Sequence, residues 1–407
     1  MRTLLAPDPV LPQRDLLLDP EQITPLLEER LSLYGPVELA SCEIARVKYR
    51  VGQSLRVRYT VEVDGRSHDV ACHAFARGHA EAAFRRALGE AVATDGLRAV
   101  AWARELETVF WTFPNDRKLR LGALAALDHL LGPRLHSLEL VAYAPEKSAT
   151  LRCDGEAGQL AYAKLYADDG ADRAFALHRH LAGAGMPVPQ AIPTDQSLRL
   201  LLVRPLAGRP LAQLEGAELI EGHERLGETI ARLHELPPPD RVRARRLDTD
   251  RLRAAAEIIA CARPDVADAA RRVGAEIARR GTPQPLVCLH GDLHPKNALL
   301  HGGRVGLVDL DQVAGGSASA ELGSLFAGLR YARVVGRLDG ATERECAAAF
   351  AAGYATVRPL PPAPVLRRAT AAALLGERAL RAVNRVRPDG LSALGRLFAA
   401  AQELLDA

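Results

Sequence analysis

Leu286-Val-Cys-Leu-His-Gly-Asp-Leu-His-Pro-Lys-Asn-Ala-Leu-Leu300 is followed, three residues on, by Arg304-Val-Gly-Leu-Val-Asp-Leu-Asp-Gln312. Two short apolar runs bracket a polar loop, and the next apolar run ends on Asp309, so the stretch reads as strand, loop and strand rather than helix. The loop sets His290, Asp292 and Asn297 in the order His-x-Asp-x-x-x-x-Asn, with Asp309 twelve residues beyond Asn297. Each residue type suits one task in moving a phosphoryl group. A hydroxyl attacking phosphorus must shed its proton, and a carboxylate within hydrogen-bond reach can take it, which suits Asp292. Magnesium prefers hard oxygen ligands and keeps phosphate oxygens in its shell, which suits Asp309 as a charged ligand and Asn297 as a neutral one. Turn capping would explain any one of these residues alone, but not their conjunction in fixed order between apolar strands.

Around this stretch the chain is helical. Residues 219–236 carry Ile220, Leu226, Ile230, Leu233 and Leu236 on one stripe, and helical periodicity returns over 250–280, 318–335, 341–354, 366–386 and 391–405. The proline-rich stretches 237–240 and 359–364 read as loops. Upstream the pattern changes to strands and repeats itself. Val47-Lys-Tyr-Arg-Val-Gly-Gln-Ser-Leu-Arg-Val-Arg58 matches Val141-Ala-Tyr-Ala-Pro-Glu-Lys-Ser-Ala-Thr-Leu-Arg152 without a gap. The match resumes with 71–84 against 162–175, pairing Phe75 with Tyr166, Ala80 with Ala171, Glu81 with Asp172 and Phe84 with Phe175. It runs on to 109–114 against 200–205, so each copy reads as three strands, a helix and two strands ending at a proline. Residues 116–135 read as a helix packed between the copies, and the first 40 residues as a lead-in around one helical piece, 21–34.

Composition sets the limits. A chain of 407 residues with 48% hydrophobic, 25% charged and 4% aromatic content has room for two or three packed domains and is neither collagenous, disordered nor a disulfide scaffold. No run approaches the roughly 18 uncharged apolar residues of a membrane span, and the opening residues carry Asp8 and broken apolar pieces, so the expectation is a cytoplasmic protein without a membrane partner. A net charge of +3 over 53 basic and 50 acidic residues gives no reason to expect nucleic acid. The six cysteines lie far apart with no Cys-x-x-Cys pair, which fits buried thiols. Of the 53 basic residues only Lys48, Lys118, Lys147, Lys164 and Lys296 are lysine. A retained lysine therefore points to a site that needs a compact ammonium rather than a planar fork.

On these residues the chain resembles the aminoglycoside phosphotransferase and choline kinase superfamily, whose loop reads His-Gly-Asp-x-x-x-x-Asn. Leu226-Gly-Glu-Thr-Ile-Ala-Arg-Leu-His-Glu-Leu236 and Glu321-Leu-Gly323 are further matches, and the likeness runs from about Val141 to the C-terminus. The resemblance implies an α+β, bilobal protein-kinase-like fold: an antiparallel β small lobe over 139–206 and a mainly helical large lobe over 207–407. An extra N-terminal α+β domain over 1–138 then looks like a second, degenerate small lobe, with His73 in the place of Lys164 and no catalytic loop after it. The resemblance also implies ATP or GTP with Mg2+. Asp292 as base and His290 at the start of the same loop would be the catalytic residues, and Asn297 and Asp309 would hold the metal. Lys164 would meet the nucleotide α/β-phosphates, Ser148 and Lys147 would form the turn over them, and the backbone of Arg204, Pro205 and Leu206 would meet the adenine.

Two positions depart from the superfamily's pattern. The helix containing Leu177-His-Arg-His-Leu-Ala-Gly183 offers no acid to pair with Lys164, Asp168, Asp169 and Asp172 come too early, and Glu321 stands where aspartate is commoner. For the acceptor, polycationic aminoglycosides require an acidic pocket, yet from Glu321 to Ala407 basic residues outnumber acidic ones twelve to eight. Arg378, Arg381 and Arg385 fall on one helical face. The expected partner is a sugar-like or other small hydroxyl metabolite; oligomeric state is not legible. The alternative is a nucleotide-binding scaffold without turnover, which has no physical need for a base and two metal ligands together.

Overall fold

In Ser54–Val63 every second residue, Leu55, Val57, Tyr59, Val61 and Val63, is buried, and that alternation makes it the second strand of a sheet with one face on a core. The computed structural model describes residues 4–33, 35–119, 122–239, 249–279 and 284–407. The chain divides into two units, one of 1–172 with 193–202 and 384–386, the other of 173–192 with 203–383 and 387–407. Tyr34, Asp240 and Arg280, each at the end of an expected element, lie outside the described residues.

The first unit opens with helices α1 (Arg14–Leu17) and α2 (Pro20–Leu31) and then builds an antiparallel sheet. Its strands β1 (Ser41–Arg50), β2 (Ser54–Val63), β3 (Arg66–Phe75), β4 (Val100–Ala103) and β5 (Thr108–Thr112) lie in the order β1-β2-β3-β5-β4, with helix α3 (Ala80–Gly89) between β3 and β4 in the chain. After α4 (Gly122–Leu131) the pattern recurs along the chain: β6 (Ser137–Ala144), β7 (Ser148–Gly155) and β8 (Gly158–Tyr166) pair in turn, helix α5 (Gly170–Gly183) follows, and β9 (Ala191–Ile192) and β10 (Leu200–Val203) close the copy, most of α5 and all of β9 being counted with the second unit. The registers agree residue by residue. Arg50 faces Ser54 as Ala144 faces Ser148, Ser54 faces Phe75 as Ser148 faces Tyr166, and Arg56 faces His73 as Thr150 faces Lys164.

The repeat reaches further back than the strand pattern alone discloses. Asp8 Oδ1 accepts the N–H groups of Val10 and Leu11, while its Oδ2 accepts the Tyr49 hydroxyl at 2.6 Å and the Gly52 N–H at 2.9 Å. Asp116 does the same one copy later: Oδ1 takes Lys118 and Leu119, and Oδ2 takes the Tyr143 hydroxyl at 2.7 Å and the Glu146 N–H at 2.6 Å. Each aspartate closes an Asx turn and clasps the tip of the following hairpin. That turn is why residues 116–119 are not helical as expected; Arg120 and Leu121 lie outside the described residues, and α4 is described from Gly122.

Glu146 sits at φ +57°, where the first copy has Gly52 at +66°. A left-handed backbone costs a non-glycine residue about 1 kcal/mol. Side-chain bonds offset that cost: the buried carboxylate meets His73 Nδ1 at 3.1 Å, Arg56 at 2.7 Å and Arg117. Burial by itself would raise the Glu146 pKa, but the His73 hydrogen bond and the charges of Arg56 and Arg117 outweigh it and hold the carboxyl well below the usual range. Trp111 Nε1 donates to the Tyr143 hydroxyl at 2.7 Å, and Ala80, Ala83, Val109, Trp111, Tyr143 and Ala149 form one cluster, so both sheets share a core within this unit.

The second unit is mainly helical: α6 (Gly216–Glu235), α7 (Thr249–Ala262), α8 (Ala267–Arg279), α9 (Ala318–Val334), α10 (Gly340–Ala355), α11 (Ala363–Ala373), α12 (Leu380–Asn384), α13 (Pro388–Ser392) and α14 (Leu394–Asp406). The helix expected over 250–280 breaks at a 3-10 turn, Pro264–Val266, because proline cannot donate to a continuing ladder. Between α11 and α12 the chain makes a π-helical turn, Leu374–Ala379. Helices α6 and α10 cross on glycines: a Cβ on Gly227 would lie 2.2 Å from the Phe350 carbonyl oxygen, and one on Gly353 would lie 1.9 Å from that of Glu224. Strands β11 (Arg209–Pro210), β13 (Ala298–His301) and β14 (Arg304–Leu307) form one small sheet, and β12 (Val287–Leu289) with β15 (Ala314–Gly316) another.

Candidate active site

Strand β12 leads into the loop 290–297 and β13 leads out of it, so the loop is fixed at both ends. His290 is fully buried. Its Nε2 donates to the Val308 carbonyl at 3.0 Å and its Nδ1 accepts the Asp292 N–H at 3.4 Å, two partners that assign the tautomer. His290 therefore fastens the loop to the end of β14. The Asn297 carboxamide nitrogen donates to the Asp292 carbonyl at 3.0 Å, and the Asn297 carbonyl accepts the Val308 N–H at 3.0 Å. Asp309 comes next, exposed and at φ +60°, a strained backbone of the kind that collects at functional positions. The Asn297 side chain thus ties to the Asp292 backbone, and the Asn297 backbone to Val308, the residue before Asp309.

Beneath the loop lies Glu321, buried at the start of α9. Its Oε1 accepts the Gly291 N–H at 2.6 Å, and its Oε2 accepts the His290 N–H at 2.9 Å and meets His234 Nε2 at 3.0 Å. The other ring nitrogen of His234 meets the Tyr354 hydroxyl at 2.9 Å. Burial favours the protonated acid, but the His234 bond and the loop N–H groups prevail and lower the Glu321 pKa from its ordinary value. The sequence matches around His234 and Glu321 are thereby two halves of one clamp, and Gly323 lets the helices meet, since a Cβ there would fall 2.7 Å from the Ala369 carbonyl carbon.

Asp292 itself is partly exposed, with Arg381 Nη2 at 3.6 Å and His294 Nε2 at 3.8 Å. Burial pushes the His294 pKa down to about 4; Lys296, Arg378 and Arg381 act the same way, with Asp292 opposing them, so this imidazole is neutral at pH 7. Beside the loop opens a cavity of about 720 Å³ whose wall includes Leu293, Lys296, Tyr331, Arg378 and Arg381; Asp292 adjoins it through Leu293 and Arg381 without lining it, and neither Asn297 nor Asp309 lines it. Arg385, expected on the same face as Arg378 and Arg381, falls past the end of α12 and donates to the Val47 carbonyl at 2.9 Å instead.

The other expected site residues divide between the units. Lys164 and Ser148 belong to the first. Lys164 is half-buried in mid-β8, its Nζ 5.5 Å from the Tyr166 ring centroid, and Ser148 starts β7 beside the Glu146 turn. Arg204 and Leu206 belong to the second. The Arg204 N–H is taken by the Gln190 carbonyl at 2.8 Å and Pro205 has none, so this segment can offer a ligand the Arg204 carbonyl and the Leu206 N–H. Leu206 packs over Gly306 of β14, where a Cβ would come within 2.5 Å of its side chain. Among the described residues no group of three or more His, Cys, Asp or Glu is arranged to hold a metal, and no helix is long and apolar enough to cross a membrane.

Comparison with known proteins agrees with this architecture. A family model described as the phosphotransferase enzyme family matches residues 159–362. No curated protein matches the sequence. Among solved structures, a spectinomycin phosphotransferase in complex with ADP and spectinomycin is similar at 12% identity, covering 71% of this chain and 99% of its own, with a TM-score of 0.51. A choline kinase from Cryptosporidium parvum Iowa II is similar at 12% identity, covering 70% and 95%, with a TM-score of 0.51. An amicoumacin kinase in complex with AMP-PNP covers 70% and 93% at 12% identity, with a TM-score of 0.50. At such identities the likeness is one of fold, and the fold is kinase-like.

Proposed function

The chain belongs to the phosphotransferase enzyme family, and on that premise we propose that it moves the γ-phosphoryl group of ATP, or GTP, onto a hydroxyl of a small sugar-like or other metabolite. The observation that carries this reading is the Glu321 clamp. A carboxylate buried beneath the loop and bonded to two successive loop N–H groups fixes the backbone from which Asp292 presents its own carboxylate beside a cavity. In that position Asp292 can accept the proton of the attacking hydroxyl. Arg381 Nη2 stands 3.6 Å from that carboxylate, and the neutral His294 adds no second positive charge beside it.

Magnesium suits the donor set. Asp309 supplies a charged oxygen and Asn297 a neutral one, since the Asn297 nitrogen is spent on the Asp292 carbonyl; two protein oxygens are what this ion commonly takes when phosphate and water complete its shell. Bound there, the ion would neutralise charge on the nucleotide phosphates. Lys164, Ser148 and the Arg204–Leu206 backbone are the residues we assign to the nucleotide, Lys164 through the compact charge that a phosphate contact requires. The test is ATP consumption, with and without magnesium, across neutral sugars, sugar acids, amino sugars and amino alcohols. Magnesium-dependent consumption that requires one acceptor class supports the reading; consumption indifferent to every acceptor contradicts it.

A further inference from the structure

The cavity beside Asp292 is built for negative charge. Its lining carries Lys296, Arg337, Arg378, Arg381 and Arg387 against a single carboxylate among the described residues, Glu215. Arg337 is matched by Asp389 and Arg381 leans on Asp292, but Arg378 is a different case. Its guanidinium is about nine-tenths buried, Nη2 donates to the Ser324 carbonyl at 2.7 Å, the Glu377 carboxylate stands off at 3.8 Å, and Nε is buried with no acceptor among the described residues. Two features of the chain deliver it there. The π-helical turn Leu374–Ala379 adds a residue to the helical turn that bears it, and Gly328 leaves room for it, since a Cβ there would fall 3.2 Å from Nη2. Burying a guanidinium with a donor unsatisfied is costly, and an acceptor-rich anion is what relieves that cost.

A second buried group faces the same cavity with the opposite polarity. His223 is 1% exposed; its Nδ1 lies 2.8 Å from the Leu219 carbonyl and so carries the hydrogen, leaving Nε2 as a buried lone pair with no partner among the described residues. Burial also lowers the pKa of this ring, which keeps it neutral and Nε2 an acceptor. A buried acceptor of this kind calls for a donor, and a hydroxyl supplies one.

We propose that the acceptor of this site is an anionic polyhydroxy compound whose carboxylate or phosphate seats against Arg378 and Arg381 while a hydroxyl donates to His223. The assignment deepens the phosphotransferase reading of the same site and rests on it. It excludes the polycationic and quaternary-ammonium acceptors that an acidic cavity would select.

Binding to the full chain without nucleotide or magnesium tests it, because that readout involves no phosphoryl transfer. The probes are inorganic phosphate, sulfate, and a matched set on one carbon skeleton comprising a neutral sugar, its carboxylate, its monophosphate and its amine. By calorimetry the carboxylate or the monophosphate binds at least about tenfold more tightly than the neutral sugar, the amine binds worst, and inorganic phosphate competes with the better anion. Which member binds best separates a carboxylate from a phosphate ligand. Arg381→Gln and Arg378→Lys reduce the anion's advantage, whereas Lys164→Ala, at the nucleotide residues, preserves it; Arg381→Gln, on a half-exposed side chain, guards against misfolding of the buried variant. Equal binding of neutral and charged members, preference for the amine, no anion binding at all, or an advantage lost in Lys164→Ala overturns the proposal. None of these outcomes bears on phosphoryl transfer, which fails separately if no acceptor is phosphorylated.

Discussion

Glu321→Gln is the substitution that most sharply tests how the loop is held. The carboxylate makes three bonds, at 2.6, 2.9 and 3.0 Å, to Gly291 N–H, His290 N–H and His234. Glutamine keeps one acceptor oxygen and presents an NH2 where the other oxygen was, so one contact becomes donor against donor and the remainder lose their charge assistance. A charge-assisted bond contributes about 1.5–3 kcal/mol and breaking a buried pair costs about 3–5, which places the loss near 3 kcal/mol. The same change releases the loop that carries Asp292, and a displacement of about 1 Å is enough to lower turnover by roughly a hundredfold. Urea unfolding at pH 7 reads the first quantity and initial-rate kinetics the second. Glu321→Asp, which keeps the charge but withdraws it by one methylene, falls between wild type and Gln. A Gln variant within about 1 kcal/mol of wild type and with full turnover would refute the clamp.

Other perturbations have equally definite outcomes. Glu146 and Glu321 both have folded pKa values held below the unfolded carboxylate value of about 4.3, so their contribution is fully present above that pH and disappears as pH falls through the folded values. Melting temperature should hold from pH 7 to about 5 and decline below, with a shallower decline in Glu146→Gln. Gly353→Ala forces a methyl into the Glu224 carbonyl across α6 and α10 and should cost about 3 kcal/mol or more by calorimetry, whereas Gly395→Ala, with open space around it, should cost under about 1. Lys164→Arg should impair turnover nearly as much as Lys164→Ala, since a planar fork does not replace a point charge at a phosphate; equal activity of arginine and lysine would contradict its assignment.

The loop 290–297 was legible as a structure because its residues are local: order and spacing survive in sequence whatever the rest of the chain does. The repeat was legible from Val47 and Val141 onward because hairpin registers preserve spacing, and the observed pairs of Arg56 with His73 and Thr150 with Lys164 follow that alignment. The aspartate clasps were not, because Asp8 precedes Tyr49 by 41 residues while Asp116 precedes Tyr143 by 27, and unequal loops erase an alignment. Glu321 was visible as a motif but its task was not, since His290 lies 31 residues away and only tertiary folding brings them together. Two arginines of the expected basic face do line the cavity. The third leaves it because the helix ends at Asn384, a boundary that periodicity alone could not fix.

The most direct test of phosphoryl transfer with Asp292 as its base is to follow the acceptor by mass spectrometry in the presence of ATP and magnesium, for wild type and Asp292→Ala side by side, with nucleotide affinity measured on the same samples. Wild type should yield acceptor phosphate and ADP in equal amounts, and Asp292→Ala should yield both about two to four orders of magnitude more slowly while binding the nucleotide as wild type does. Near-normal phosphorylation by Asp292→Ala, or nucleotide binding by wild type with no phosphorylated product from any acceptor class, would contradict the account.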